Sequence, residues 1–125
     1  MPTVAILGAS ADRSKFGNKA VRAFLSQGYI VYPVNPKGGE VEGLPVRHSL
    51  ADIPPDIKLD RISVYLPPAV GLKMLPQIAA RGCAELWLNP GSESDELVAA
   101  AEQTGLNVIQ ACSIVDIGMS PHDLP

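Results

Sequence analysis

The chain has 125 residues, of which 46% are hydrophobic and 18% charged, and its net charge is −3. This size and apolar content predict one domain with its own core and exclude disordered, collagen-like and coiled-coil chains. The negative charge and an aromatic content of only 5% argue against a nucleic-acid-binding surface. The apolar runs are too short to cross a membrane and the N-terminus lacks a signal-peptide pattern, so we expect a cytoplasmic domain.

Basic residues are concentrated in the first third of the chain. Residues 1–37 carry five lysines and arginines against one acidic residue, whereas residues 38–125 carry five against twelve. Chance variation in surface composition gives such differences in charge. This difference also fits an anion-binding site formed by the first third of the chain. The five basic residues are Arg13, Lys15, Lys19, Arg22 and Lys37.

Runs of β-branched and aliphatic residues recur along the chain and predict short, buried strands. The main predicted strands cover residues 3–7, 29–34, 61–66, 84–88 and 107–110. The segment 37–60 is richer in glycine, proline and charge. We expect only a short strand near Val46 and a short helix at residues 50–53 within it.

Helical periodicity predicts three helices between these strands. The first covers residues 16–27, the second covers residues 70–81, and the third begins at a capping box formed by Ser92 and Asp95. Pro76 lies inside the second helix and is expected to kink it or to delay its regular part. The residues expected to face the core are Ala20, Val21, Phe24, Leu25, Leu72, Leu75, Ile78, Ala79, Leu97, Val98 and Ala101.

The alternation of strands and helices predicts an α/β fold with a single, mostly parallel sheet of about five to six strands and helices on both faces. This is the doubly wound, Rossmann-like arrangement, in which ligands bind outside the carboxyl ends of the strands. The functional residues are therefore expected in the loops that follow Leu7, Val34, Leu66, Leu88 and Gln110.

The first loop, residues 8–17, combines glycine, a hydroxyl group and cations. Gly8 lets the backbone come close to a phosphate, and the start of the next helix offers N–H groups to it. The loop is not a P-loop, and it lacks the G-x-G-x-x-G pattern because the next glycine is Gly17. A plain tight turn with solvated Arg13 and Lys15 is the alternative interpretation.

The second loop, Asn35-Pro36-Lys37, lacks the carboxylate that an NAD site places at this point to bind the ribose diol. An asparagine followed by a lysine instead favours a ribose that carries a phosphate. Two common cofactors fit this pattern: NADP with its 2′-phosphate and coenzyme A with its 3′-phosphate. A plain Asn-Pro turn with an exposed lysine is the alternative.

The remaining three loops carry no charged residues and offer mainly apolar surface to a ligand. The third, Leu66-Pro67-Pro68, forms a stiff apolar surface whose prolines have no N–H group to donate. Pro90 and Gly91 precede another helix start, and Cys112 brings a thiol to the rim of the predicted crevice. Cys112 is either a small buried hydrophobic residue or a thiol close to the ligand.

Together these segments resemble a known family. The stretches V-A-I-L-G-A-S, Lys15-Phe16-Gly17, V-Y-P-V-N-P-K and H-S-L-A-D-I-P are similar to those of the small stand-alone CoA-binding domains. Relatives of that family include the N-terminal domain of the succinyl-CoA synthetase alpha subunit. The resemblance covers nearly the whole chain and implies a Rossmann-like domain that binds coenzyme A. It departs from the family in the last loop, where Ser113 follows Cys112.

The resemblance also implies roles for individual residues. Gly8, Ala9, Ser10, Arg13 and Lys15 correspond to the phosphate loop; Asn35, Pro36 and Lys37 to the phosphoadenosine contacts; and Leu66, Pro67 and Pro68 to the wall along the nucleotide. Residues of the first, fourth and fifth loops complete the candidate ligand-binding set, and they are Phe16, Gly17, Pro90, Gly91 and Cys112.

No catalytic or metal-binding constellation is visible in the sequence. His48 and His122 have no partner at a meaningful spacing, and no pair of carboxylates follows neighbouring strands. We therefore expect a non-catalytic module that binds coenzyme A or an acyl-CoA, as a sensor or carrier acting through a partner. A homodimer is compatible with the fold class. The alternatives are an NADP-binding oxidoreductase module and an interaction domain with a vestigial nucleotide site.

Overall fold

A five-stranded parallel sheet forms the centre of the protein, whose computed structural model describes residues 1–125. In chain order the strands are β1 (Thr3–Leu7), β2 (Ile30–Val34), β3 (Glu40–Val41), β4 (Leu44–Pro45), β5 (Arg61–Val64), β6 (Glu85–Leu88) and β7 (Val108–Ile109). The sheet has the order β2-β1-β5-β6-β7, and β3 and β4 form a separate antiparallel hairpin. The predicted doubly wound, mostly parallel α/β fold is confirmed.

Helices cover both faces of the sheet. They are α1 (Phe16–Ser26), α2 (Pro68–Arg81), α3 (Asp95–Gln103) and α4 (Ser113–Asp116), with short 3-10 helices at Leu50–Asp52 and Pro121–Asp123. The core on one face includes residues of α1 and α4, and the core on the other face includes residues of α2 and α3. None of these helices is long and apolar enough to cross a membrane.

The strands read as continuous apolar runs because each central strand is buried on both faces. Alternate residues of β1 divide between the two cores: Val4 and Ile6 pack with α1, whereas Ala5 and Leu7 pack with α2 and α3. This division fixes which way each strand faces. A slip of one residue in the pairing of β1 would exchange the two sets.

In the register of the sheet, the carboxyl ends of four neighbouring strands lie side by side. Leu7 lies opposite Val34 of β2 and opposite Val64 of β5, and Val64 lies opposite Leu88 of β6. The loops that follow these strands therefore open at the same edge of the sheet. This is the edge at which the sequence predicts the ligand.

One sequence prediction about α1 and one about α3 are wrong. Leu25 does not face the core, because 38% of it is exposed and Ala23 takes a buried place on that face of α1. The cap of α3 is Ser94, whose hydroxyl accepts a hydrogen bond from the Leu97 N–H group at 3.1 Å. Ser92 instead is buried in the preceding turn, where its N–H group donates to the carbonyl of Asn89.

Helix α2 begins earlier than predicted and runs without a break through Pro76. It starts at Pro68 because proline suits the first turn, where its missing N–H group has no helical partner to lose. The prediction that Pro76 delays the regular part of the second helix is therefore wrong. Strand β5 ends before the predicted residue 66, although the Tyr65 N–H group still donates to the carbonyl of Leu7 at 2.9 Å.

A buried arginine ties α4 to the sheet. The Arg61 side chain is 14% exposed, and its Nη2 atom lies 2.6 Å from Oδ2 of Asp116 in α4. Its Nε atom lies 3.4 Å from a carboxylate oxygen of Glu85, and the guanidinium carbon lies 4.7 Å from the centre of the Trp87 ring. The Nη1 atom of Arg61 is buried without a hydrogen-bond partner. Removing either carboxylate would leave a buried charge poorly compensated.

Candidate functional site

The polypeptide reverses its direction of winding between β1 and β5. It passes from β1 to β2 on one side, then returns to place β5 on the other side of β1. The loops that follow β1 and β5 therefore diverge and leave a crevice at the carboxyl ends of these strands. The candidate site lies in this crevice.

Two adjoining cavities lie along this edge and share Phe16, Tyr65 and Pro90. The first has a volume of about 310 Å³ and is completed by Leu66, Pro67, Pro68, Gly91 and Ser92. The second, named here the terminal cavity, has a volume of about 360 Å³ and is completed by Asn89, Cys112, Val115, Ser120, Pro121 and His122. The two together are the strand-end crevice.

The strand-end crevice brings together seven of the residues that the sequence nominates. They come from four separate loops and are Phe16, Leu66, Pro67, Pro68, Pro90, Gly91 and Cys112. A larger cavity of about 500 Å³ lies between residues 55–60 and 80–84, at the amino ends of the strands. None of the nominated residues lines that cavity, and ligands of parallel α/β sheets bind at the opposite edge.

Glycines allow the first loop and α1 to approach each other closely. Gly8 has a φ of +87°, and a Cβ atom on it would lie 2.5 Å from the carbonyl oxygen of Tyr65. A Cβ atom on Gly17 would collide with the carbonyl oxygen of Gly8. The helix therefore begins directly against the backbone of the loop, at a distance that no other residue permits at these two positions.

Some backbone N–H groups of the first loop are bonded within the protein and others are free. Those of Gly8 and Ala9 donate to the carbonyl of Val34 at 3.2 and 3.3 Å, and Ala9 is fully buried. Those of Asp12, Ser14 and Lys15 donate within the loop itself. The N–H groups that make no hydrogen bond within the protein are those of Ser10, Ala11, Arg13, Phe16 and Gly17. A helix start with unpaired N–H groups favours an anion, so those of Phe16 and Gly17 are placed to meet a phosphate.

A buried asparagine that the sequence analysis missed holds the first loop in place. Asn18 is fully buried and donates from Nδ2 to the carbonyl of Ser10 at 2.9 Å and to the Glu42 carboxylate at 3.1 Å. Its Oδ1 atom accepts from Nε of Arg22 at 2.8 Å, and Arg22 also donates to the carbonyl of Arg13. Asparagine in the first turn of a helix is common, so the sequence carries no distinctive signal for this role.

The cations of the first loop lie at the surface. Arg13 and Lys15 are both exposed, and Nε of Arg13 lies 3.6 Å from the Glu42 carboxylate of the β3–β4 hairpin. Hydrogen bonds from the Ser14 side chain and backbone lower the pKa of Asp12. These contacts shape the loop from within, and the side chain of Lys15 remains available to solvent.

Asn35 joins the first two loops. Its Nδ2 atom donates to the carbonyl of Ala9 at 2.7 Å, and its Oδ1 atom accepts from the N–H group of Lys37 at 2.8 Å. Pro36 and Lys37 are exposed beyond it. The structure thus gives Asn35 a bridging role between loops, and its contact with a ribose stays a prediction.

A buried hydrogen-bond network lies beneath the crevice and was not predicted from the sequence. The hydroxyl groups of Ser63 and Tyr65 lie 2.7 and 3.0 Å from Oγ of Ser113. Asn89 donates from Nδ2 to Oγ of Ser63 and to the carbonyl of Val64. Its Oδ1 atom accepts from both the N–H group and the hydroxyl of Ser113.

One assignment of the protons satisfies this whole network. Tyr65 and Ser63 donate to Ser113, Ser113 donates to Asn89, and the Asn89 amide donates to Ser63 and Val64. Burial, which outweighs the hydrogen bonds, raises the pKa of Tyr65 to about 12. The tyrosine proton is therefore held in the network at neutral pH.

The two histidines lie far apart in the structure. A Cβ atom on Gly38 would lie 2.6 Å from Nε2 of His48, so His48 packs against the second loop. His122 lines the terminal cavity together with Cys112, a proximity that their separation in the sequence did not indicate. Cys112 is half-buried, so it is neither a fully buried hydrophobic residue nor a fully exposed thiol. Neither cysteine forms a disulfide.

Comparison with known proteins finds relatives of this chain by sequence. The sequence profile of a family described as CoA binding domain matches residues 2–118. The chain is 30% identical over 122 residues to the alpha subunit of ADP-forming acetate–CoA ligase I from Pyrococcus furiosus, an alignment that covers 86% of this chain. It covers only 26% of that relative, so the chain spans about a quarter of the ligase subunit.

Solved structures share the fold. A conserved hypothetical protein from Pyrococcus furiosus is 33% identical, with a TM-score of 0.81, and the match covers 93% of this chain and 99% of that one. The dinucleotide-forming acetyl-coenzyme A synthetase 1 of Candidatus Korarchaeum cryptofilum, in complex with phosphate and ADP, is 29% identical with a TM-score of 0.73. That match covers 87% of this chain and 25% of the synthetase.

Proposed function

The chain belongs to the CoA-binding domain family, and we propose that it binds coenzyme A or an acyl-CoA in its strand-end crevice without catalysing a reaction itself. Its similarity to part of an ADP-forming acetate–CoA ligase suggests a carrier, sensor or accessory module. We treat residues 1–125 as one such domain. The acetate–CoA ligase subunit is a larger protein, so the proposal includes a protein partner that uses the bound ligand.

The observation that carries the proposal is the set of anion-binding groups in the first two loops, which lie at the same edge of the sheet as the strand-end crevice. The unpaired N–H groups of Phe16 and Gly17 and the exposed cations Arg13, Lys15 and Lys37 lie in the first two loops. They suit the phosphates of a nucleotide. The apolar walls of the third and fourth loops then suit the uncharged arm of coenzyme A.

The Tyr65 hydroxyl and the buried network below the strand-end crevice support binding rather than chemistry, and Cys112 and His122 are the other titratable side chains of the lining. The Tyr65 hydroxyl is committed to Ser113, and no carboxylate lines either cavity of the crevice. A general acid or base must reach the reacting group with a proton to give or a lone pair to receive it. Neither Tyr65 nor the buried network below it meets this requirement.

The two alternative functions, an NADP-dependent oxidoreductase and an interaction domain, predict different ligand binding. An NADP-dependent oxidoreductase needs a place for a hydride acceptor, and the comparisons lend that cofactor no support. An interaction domain with a vestigial site would bind no nucleotide. Ligand binding to the purified chain separates these possibilities.

We expect coenzyme A to raise the thermal unfolding temperature more than dephospho-CoA, NADP or NAD at equal concentrations. A ligand present at a hundred times its Kd stabilises the folded state by about 2.7 kcal/mol. For a domain of this size that corresponds to roughly 10 °C. Calorimetric titration of the Lys37→Ala variant should show CoA binding about tenfold more weakly, because a hydrogen bond to a charged phosphate is lost.

Lys73→Ala is the matched control, since Lys73 is an exposed lysine of α2 and lines neither cavity. It should leave the CoA affinity unchanged, and Lys37→Ala should leave dephospho-CoA binding within about twofold. A larger shift with NADP than with coenzyme A would favour the oxidoreductase alternative. No shift with any of the four ligands would favour the vestigial site.

A further inference from the structure

The turn of the β3–β4 hairpin holds a glutamate in an unusual backbone conformation. Glu42 has a φ of +50° and is the only residue other than glycine with a positive φ. Together with Gly43 it forms the two-residue turn between the paired residues Val41 and Leu44. Asparagine and glycine adopt the conformation of such a turn more readily than glutamate does. The turn itself therefore does not explain why a glutamate occupies this position.

The side chain of Glu42 reaches from the hairpin to the first loop. Its Oε2 atom accepts a hydrogen bond from Nδ2 of Asn18 at 3.1 Å and lies 3.6 Å from Nε of Arg13. Asn18 is the third residue of α1 and is fully buried. The Glu42 side chain is only 24% exposed. Its carboxylate is therefore held against the loop that the proposed function assigns to phosphates.

Helix α1 has no acidic residue of its own at its start. Its first turn contains neither aspartate nor glutamate, and the N-cap residue Lys15 makes no side-chain hydrogen bond. The only acidic residue of the first loop, Asp12, accepts hydrogen bonds from Ser14. Negative charge is favourable beside the amino end of a helix. Glu42 supplies that charge from a different element of the structure.

A ligand phosphate and the Glu42 carboxylate would compete for the same guanidinium. The Arg13 side chain is 61% exposed and lies at 3.6 Å, beyond hydrogen-bond distance, so its ion pair with Glu42 is weak. A guanidinium bonded to a phosphate through two N–H groups forms a stronger interaction. Binding of the phosphate would therefore either break the ion pair or place two anions beside one cation. Both arrangements weaken the binding of the ligand.

We propose that Glu42 is an internal substitute for a ligand phosphate, which pairs with Arg13 in the free protein and lowers the affinity for coenzyme A. This inference rests on the proposed function, and it makes Glu42 a residue that sets the affinity of the same site. Such a residue suits a carrier, because a carrier must release its ligand to a partner. A residue that only positioned the first loop would have the opposite effect, since its loss would weaken binding.

The Glu42→Gln variant separates the charge of the side chain from its position. Glutamine has the same length and an amide oxygen that accepts the hydrogen bond from Asn18, but it carries no charge. We expect calorimetric titration at low ionic strength to show coenzyme A bound about two- to fivefold more tightly, as the loss of an exposed ion pair implies. This gain should disappear at about 1 M salt, where charges are screened beyond about 3 Å.

Two control variants test whether the gain comes from Arg13. Glu40→Gln removes the same charge from the same hairpin, and Glu40 is exposed and takes part in no ion pair. It should change the affinity by less than about 1.5-fold, which measures the general effect of net charge. In an Arg13→Ala background, Glu42→Gln should give no larger gain than Glu40→Gln, because the cation for which the two anions compete is absent.

The outcomes separate this inference from the proposed function. Unchanged binding of coenzyme A to Glu42→Gln would overturn the inference, and weaker binding would show that Glu42 only positions the first loop. A gain that persists at high salt or in the Arg13→Ala background would also overturn it. Coenzyme A would still bind to the unmodified chain in all these cases. Failure of coenzyme A to bind to the unmodified chain would overturn the proposed function, and this inference with it.

Discussion

Tyr65 is the residue at which the buried network meets the strand-end crevice. Its ring lines both cavities, and its hydroxyl lies 3.0 Å from Oγ of Ser113. Burial raises its pKa to about 12 from an ordinary value of 10.0. Since the unfolded chain loses this proton first, the folding stability depends on pH in the alkaline range.

We expect alkali to lower the free energy of unfolding partly through Tyr65. Between pH 10 and about 12 the unfolded state binds fewer protons at this residue than the folded state, so stability falls as pH rises. From pH 8 to pH 11 the contribution is about 1.4 kcal/mol. Urea denaturation at both pH values should show a loss smaller by that amount in Tyr65→Phe than in the unmodified chain. Equal losses in both proteins would contradict this assignment.

The sequence predicts those residues of the candidate site that lie in loops directly after a strand. Phe16, Pro67 and Cys112 belong to such loops, and all three line the strand-end crevice. Asn18 and Asn89 were missed because their importance comes from burial beside partners that are distant in the chain. Their bonds to Glu42 and Ser63 span 24 and 26 positions, which no local pattern reveals.

Helix α4 is the element that closes the terminal cavity, yet it has only four residues. So short a helix has little stability of its own and depends on tertiary contacts. The ion pair between Asp116 and Arg61 joins it to β5, and Ser113 joins it to the buried network. The position of Val115 at the rim follows from these two attachments.

Asp116→Asn should destabilise the protein by about 1–2 kcal/mol, because it weakens the pairing of a buried guanidinium while Asp116 itself is partly exposed. The same variant should bind coenzyme A more weakly, since α4, which lines the strand-end crevice, is then less firmly held. Chemical denaturation and calorimetric titration measure the two effects. Asp56→Asn is the control, because Asp56 is exposed and takes part in no ion pair. Equal stability of the two variants would refute the role of the Arg61 pair.

Elements with clear periodicity were predicted from the sequence, and the short ones were not. The residues of α2 repeat over three to four turns, whereas Ser113–Asp116 and Pro121–Asp123 are too brief to show a period. The start of α3 was misplaced because both Ser92 and Ser94 suit a helix cap. The fold decides between them by burying Ser92.

At the scale of the whole molecule, both edges of the sheet are protected against pairing with another chain. The backbone of Arg47 covers the carboxyl end of the β2 edge through hydrogen bonds with Pro33 and Asn35, each 2.9 Å long, and Pro33 itself has no N–H group to donate. The opposite edge, β7, has only two residues. Short or covered edges prevent strand-to-strand association.

We therefore expect the purified chain to be a monomer of 13.2 kDa rather than the homodimer that the fold class allows. Light scattering coupled to size-exclusion chromatography measures the mass directly. A mass twice as large would show that a surface other than the sheet edges drives association. The measurement should be repeated with coenzyme A, because ligand binding changes the exposed rim of the crevice.

The architecture as a whole was accessible from the sequence because the alternation of strands and helices restricts the topology severely. The concentration of basic residues in the first third pointed to loops at the edge of the sheet where the strand-end crevice lies. The sequence did not reveal that Arg13 pairs with Glu42, since the β3–β4 hairpin was expected only as one strand near Val46. The ion pair between Arg13 and Glu42 forms only because the segment after β2 folds back and places the β3–β4 hairpin beside the first loop.

The contact between Arg61 and Trp87 has a practical consequence for observing the protein. Trp87 is the only tryptophan of the chain, it is 4% exposed, and a guanidinium lies against its ring. The emission of an indole depends on the charge beside it. A ligand that shifts α4 would move Asp116 relative to Arg61 and so change how far the guanidinium charge is compensated. We therefore expect the fluorescence of Trp87 to change when such a ligand binds in the crevice, so that titrations can be followed without attaching a dye.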